Sequence, residues 1–220
     1  MEQALAKENK VSILNKINIR AILPFIGLIV VFLIFNILTG GKMVGQIKLI
    51  LSQVYVVMIS SMGVFFIMTM GGLDFSQGSI LGLSSIVICA LSNVASMPVA
   101  LIGGILTGAA IGAFNGFFYV NRKVKSFIVT ICTMFLIRGI IKYITADGPV
   151  DGLSLVKYNN DALKIGSTVA ILVIGFILFR FTRFGMDLKA IGAGEKAAKF
   201  SGVRTNRLKF LMYVLAGIVV

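Results

Sequence analysis

The sequence predicts an all-α, polytopic transmembrane helical bundle, and three observations lead there. The 220 residues are 58% hydrophobic, with a mean hydropathy of +1.00 and only 13% charged residues. The apolar residues fall into runs long enough to span, since about 20 helical residues cross a roughly 30 Å hydrocarbon core. Between the runs, Lys and Arg gather on alternate sides, as the positive-inside rule requires. Lipid offers backbone groups no hydrogen-bond partner, so each spanning run must be a helix.

Residues 1–20 are polar and carry Lys7, Lys10, Lys16 and Arg20, which reads as a cytoplasmic tail. The apolar transmembrane body is then 21–220. The first span is expected at Ala21–Leu38, closed by Gly40-Gly41, and the second at about Ile47–Met70. Gly71 to Gly78 interrupts the apolar pattern. The third span follows at Ser79–Ala95, the fourth at Val99–Val120 and the fifth at Phe127–Ile144. After a polar loop come a sixth span at Ile165–Phe181 and a basic segment, 182–207. A seventh run is still apolar at Val220, without a polar flank, and on that ground the fold is expected to be truncated within it.

Placing the N-terminus inside sorts the basic residues sharply. Inside fall the four tail charges, Arg122, Lys123, Lys125, Arg183, Lys189, Lys196, Lys199, Arg204 and Arg207; outside fall only Lys42, Lys48, Lys157 and Lys164. That is thirteen against four. The net charge of +13 therefore reads as membrane orientation, and no nucleic-acid partner is expected. His is absent and Cys89 and Cys132 lie inside apolar runs, so neither a disulfide framework nor a metal site is expected. The first apolar run is too long for a signal h-region and lacks a cleavage site, so it reads as a retained helix.

In the fourth span, Gly104, Gly108, Gly112 and Gly116 recur every fourth residue and share one helix face. Such a stripe lets another backbone approach closely, and tight helix packing is the reading preferred here. Asn115 lies beside it and could bond across the contact.

Three segments, taken together, resemble one family: the permeases of bacterial ABC-type importers for ribose, xylose, galactose and related solutes. Gly71-Gly72-Leu73-Asp74-Phe75-Ser76-Gln77-Gly78-Ser79 is similar to the family's GG(I/L)DLSxGS segment, with Phe75 for the usual Leu. Asn115-Gly116, then Phe127-Ile128-Val129-Thr130-Ile131-Cys132-Thr133-Met134, then Arg138-Gly139 follow its NG…FIVTLGTM…RG pattern, with Cys132 for a common Gly. Residues Ala190 to Val203 resemble its A(I/V)GxNxxAAxxxGI loop, with Gly194 for the usual Asn. The resemblance covers about residue 50 to the end. It implies the large, many-helix importer class of fold, alternating access, and a second permease copy or homologue. It further implies a cytoplasmic ATPase and an extracytoplasmic sugar-binding protein, at the inner membrane.

The same residues have a physical reading. Asp74 and Ser76 can cap the helix that opens after the break, and together with Gly78 they mark a bend that shapes a pathway. Asn115 and Arg138 are grouped with Asp74, Ser76 and Gly78 as pathway or helix-break candidates. Arg138 and Lys142 share one face near the outer end of the fifth span, where snorkelling to the interface is the simplest role and an ion pair with an acidic residue in the bundle is the alternative. In the basic segment, Glu195 to Phe200 reads as a short helix bracketed by Gly194 and Gly202, with Glu first and Lys toward its end. It is too short to be stable alone and needs a partner surface. Gly192, Gly194, Glu195, Ala197, Ala198 and Gly202 are thus the candidate ATPase-coupling residues, a role the resemblance also implies.

No catalytic set is present: no phosphate-binding loop with Lys-Ser/Thr, no Ser/His/Asp arrangement and no paired carboxylates. ATP and Mg are therefore expected on a partner chain, with no cofactor on this one. The alternative is an ATP-independent secondary transporter or channel, which usually carries intramembrane acidic groups. Asp74 alone qualifies, and it sits at a boundary. The charge ledger makes a prediction. In a background lacking Cys89 and Cys132, a cysteine placed in the 145–164 loop should react with an impermeant thiol reagent from outside. One at Lys196 should react only after the membrane is opened; the reverse pattern would invert the topology.

Overall fold

The computed structural model describes residues 19–158 and 160–220, and every described element is a helix, a 3-10 turn or a loop. The expected tail, with Lys7, Lys10 and Lys16, lies outside the described residues. The chain divides into two compact units that meet at Leu51 and Ser52. In the first, α1 (Ile19–Leu38) is followed by the turn at Gly40 and Gly41, both at positive φ, and by the short α2 (Lys42–Gly45). Helix α3 (Ile47–Thr69) begins in this unit and carries the chain into the second.

The second unit holds α4 (Gln77–Val94), α5 (Met97–Val120), α6 (Ser126–Ile144), a 3-10 turn (Leu153–Tyr158) and α7 (Asp161–Phe181). Then come α8 (Arg183–Ala193), α9 (Glu195–Phe200) and α10 (Thr205–Val219). Among the described residues five helices, α3 to α7, are long and apolar enough to cross a membrane. Their outward faces carry large apolar side chains such as Leu106, Phe135 and Phe176, which water would penalise and lipid accepts. The protein is a multi-pass membrane bundle.

Two helix starts and one connecting segment depart from the sequence expectation for identifiable local reasons. Pro98 sits in the first turn of α5, where its missing N–H costs nothing, so the helix starts at Met97. Helix α7 starts at Asp161 rather than Ile165 because Asn160 accepts a hydrogen bond from the Ala162 N–H at 3.0 Å. The segment after Phe181 is not a plain connector. It forms α8, whose Gly185, Leu188 and Ile191 are buried at helical spacing.

The glycine stripe sits at the centre of the unit, and all four glycines are buried. An added Cβ on Gly108 would overlap the carbonyl of Gly217, and one on Gly112 the carbonyl of Tyr213. One on Gly116 would come within 3.0 Å of the Phe210 ring. The partner backbone is therefore α10, which lies directly on α5. At the other end, a Cβ on Gly104 would strike the Ile88 side chain, so the stripe there meets α4 instead. On its other side α10 meets α3, where a Cβ on Gly63 would lie 3.1 Å from the Ala216 Cα. The main core then gathers Phe66 and Ile67 of α3, Met70 just after it, Leu188 and Ile191 of α8, Ala198 of α9, and Met212, Tyr213 and Ala216 of α10.

Gly108→Leu or Gly112→Leu should therefore prevent assembly, since forcing a side chain into a packed contact costs about 1–3 kcal/mol and often more. Ile105→Phe, on the exposed face of the same helix, should be mild. The measure is the yield and thermal stability of detergent-extracted protein; equal tolerance at all three positions would place the stripe against lipid.

Candidate functional site

Two places concentrate the predicted residues. The first is the break between α3 and α4. Helix α3 ends with Gly71 at φ +81, where the Gly71 N–H reaches the Met68 carbonyl and the Gly72 N–H reaches the Ile67 carbonyl, both at 3.0 Å. This double closure is the Schellman arrangement, and it turns the chain out of the helix without leaving carbonyls unpaired. Gly72 is close-packed as well, because an added Cβ would meet Ile67 at 3.0 Å and the Tyr213 hydroxyl at 3.2 Å.

Asp74, 8% exposed, then organises the start of α4. Its Oδ1 accepts from the Ser76 backbone N–H at 2.8 Å and from the Ser76 hydroxyl at 2.6 Å, and its Oδ2 accepts from Gln77 Nε2 at 2.6 Å. Ser76 is fully buried and acts as a relay rather than a cap, since its side chain bonds no helix N–H. Its oxygen accepts from Asn115 Nδ2 at 2.9 Å, and Asn115 Oδ1 accepts from the Thr133 hydroxyl at 2.7 Å. One continuous polar chain thus links the break, α5 and α6. The break is stitched to α6 a second time: the Leu73 N–H donates to Ser126 Oγ at 2.9 Å, and the Thr130 hydroxyl donates to the Leu73 carbonyl at 3.3 Å.

The other residues grouped with this break lie apart from the chain of bonds. Gly78 is exposed, with open space around its Cα. Arg138 is exposed and pairs with no acidic side chain among the described residues. Sequence reasoning missed the roles of Gln77, Ser126, Thr130 and Thr133. The signal was present in the last three, which are spaced four and three apart on one face of an otherwise apolar helix.

The second place is the basic segment. Helix α9 forms at Glu195–Phe200 between Gly194 and Gly202. Gly202, at φ +87, needs the left-handed region, whereas Gly194 is extended at φ 169, a conformation open to any residue. Glu195 pairs with Lys209 at 2.6 Å and with Lys199 at 3.4 Å. The Lys209 side chain is only 9% exposed and also lies 5.0 Å from the Tyr119 ring. The hydrogen bond from Lys209 holds the Glu195 carboxyl below its ordinary pKa. The pair therefore contributes fully above the usual carboxylate range and is lost as pH falls through the depressed value.

Two of the expected coupling residues make contacts within the chain itself. Ala198 is buried in the chain's own core, and Gly192, though exposed, sits where an added Cβ would overlap the Thr69 carbonyl. Ala197 and Lys196 are exposed, and Phe200, not singled out from sequence, is 93% exposed. Among the described residues no cluster of His, Cys, Asp and Glu could hold a metal.

Residues 46–219 match the family described as "Branched-chain amino acid transport system / permease component". The chain belongs to this permease family. The permease is 33% identical over 207 residues to a ribose import permease of Bacillus subtilis, covering 89% of this chain and 64% of the relative. It is 28% identical over 181 residues to a ribose import permease of Escherichia coli K12, covering 77% and 56%. A galactofuranose transporter permease of the same organism is 29% identical over 196 residues, covering 83% and 56%. The permease chain thus spans less than two thirds of the length of these relatives. No solved structure matches it.

Asn115→Ala removes both ends of the central bond pair and leaves Ser76 and Thr133 short of partners, which should cost the permease about 1–3 kcal/mol. Thr133→Val removes a single bond and should cost less. Thermal unfolding in detergent measures both, and equal losses would show that the polar chain is not continuous through Asn115.

Proposed function

We propose that this chain is the membrane-spanning subunit of an ATP-driven, binding-protein-dependent importer for a sugar or sugar-like solute. The observation that carries the reading is the match, over 207, 181 and 196 residues, to permeases named for ribose and galactofuranose import. In this reading the N-terminus is cytoplasmic, the solute passes beside a second permease copy or homologue, and an extracytoplasmic binding protein delivers it at the inner membrane. ATP and Mg act on a separate ATPase; this subunit performs no chemistry of its own.

The docking element for that ATPase is α9. Phe200 projects from it almost wholly free, and an aromatic side chain of that kind suits a pocket on a partner. Lys196 and Ala197 flank it, small and polar enough to sit in a groove. The secondary-transport alternative gains nothing from Asp74, whose two oxygens are already occupied by Ser76 and Gln77.

Phe200→Asp should abolish ATPase co-purification and solute-stimulated hydrolysis while permease abundance in the membrane stays normal. Ala198→Asp should instead lower abundance, because it puts a charge into the core. If the Phe200 variant keeps its ATPase and transports normally, α9 is a connector and the docking assignment fails.

A further inference from the structure

We propose that the N-terminal end of α10, together with the start of α8, holds the phosphate group of an anionic phospholipid. Two adjoining open cavities, of about 520 and 380 Å³, lie on either side of Arg204 and Arg207. The first is also lined by Arg183 and Asp187, so three guanidinium groups face one carboxylate. Lys199 adds a further cation to the second. None of the three arginines forms an ion pair among the described residues.

The backbone points to the same ligand. Arg204 precedes Thr205, the first residue of α10, and the Asn206 and Arg207 N–H groups find no backbone acceptor in that opening turn. Such groups, with the helix dipole behind them, form an anion-binding arrangement. Independently, Thr205 lines the second cavity, is 2% exposed, and its hydroxyl has no partner. A buried hydroxyl left unsatisfied is costly, and a phosphate oxygen would accept its hydrogen.

The apolar lining selects a lipid over a free anion. Met186 and Leu211 belong to the first cavity and are 59% and 45% exposed. Leu211 lies one turn into the apolar part of α10, so a headgroup held at Arg204 and Arg207 has acyl-chain surface directly beside it. Basic pockets at the bilayer edge recognise anionic headgroups in this way. The site stands on membrane embedding alone and is independent of the transported solute.

The test reconstitutes the full chain with its ATPase in nanodiscs of phosphatidylcholine mixed with phosphatidylglycerol, and counts retained lipids by native mass spectrometry. Phosphatidylglycerol should be retained in preference to phosphatidylcholine. Arg204→Gln with Arg207→Gln should weaken retention by about tenfold or more. The corresponding Lys pair should restore much of it, and Thr205→Val should weaken it with both arginines in place. Lys123→Gln, an exposed basic position in another turn, should change nothing. Unaltered retention in the Gln pair would overturn the proposal. So would displacement of the lipid by inorganic phosphate, which would mark a soluble-anion site, and so would retention only when the ATPase is removed, which would mark a protein interface.

Discussion

The direct backbone contact between α5 and α10 is the constraint on which the rest of the second unit depends. Lipid tails are as apolar as leucine, so burial alone gives two spanning helices little reason to associate. Close van der Waals contact must do it, and only missing side chains allow that. Gly108 and Gly217 supply it reciprocally: a Cβ on either would overlap the carbonyl of the other. With α10 held at that distance, its opposite face reaches Gly63 of α3, and Tyr213 reaches the core formed with α8 and α9. A looser α5–α10 pair would leave these later contacts unmade.

A second consequence is the placement of the polar chain from Asp74 to Thr133. A buried carboxylate in a membrane protein is costly, and this one persists because its oxygens take three short hydrogen bonds. Asn115 reaches Ser76 because it sits next to Gly116, on the turn of α5 that α10 holds in place. The break between α3 and α4 is thus a rigid feature. Asp74, Ser76, Asn115 and Thr133 bond one another, and the Leu73 backbone bonds α6.

What could be read from sequence follows this division. Helix positions and the glycine stripe were legible because length, hydropathy and four-residue spacing are local. The identity of the stripe's partner was not, since Gly217 and Tyr213 lie about a hundred residues away in a run that reads only as apolar. Ser76 looked like a cap because it precedes a helix; only the approach of Asn115 makes it a relay. Ala198 looked like a docking residue because small residues suit a groove, and its burial in the chain's own core could not be read from that spacing. Helix α8 was hidden because Arg183 and Lys189 made the segment look like a charged connector, while Gly185, Leu188 and Ile191 carried the buried face.

The two places described are mechanically one. Glu195 of α9 is tied to Lys209 of α10, and the lysine is held in turn against Tyr119 at the end of α5. A nearly buried ammonium with one carboxylate partner cannot follow another path without leaving a charge unpaired, which is costly. Three residues further along α10, Met212 and Tyr213 enter the core that also receives Ala198. A displacement of α9 is therefore shared by α10 through both an ion pair and packed side chains. From α10 it reaches α5 through carbonyls in contact with glycine, where no side chain can rotate to absorb it. On α5, Asn115 adjoins Gly116 of that contact and holds Ser76 and Thr133 together. If a partner moves α9, that motion passes through the α5–α10 backbone contact to the polar chain at the α3–α4 break.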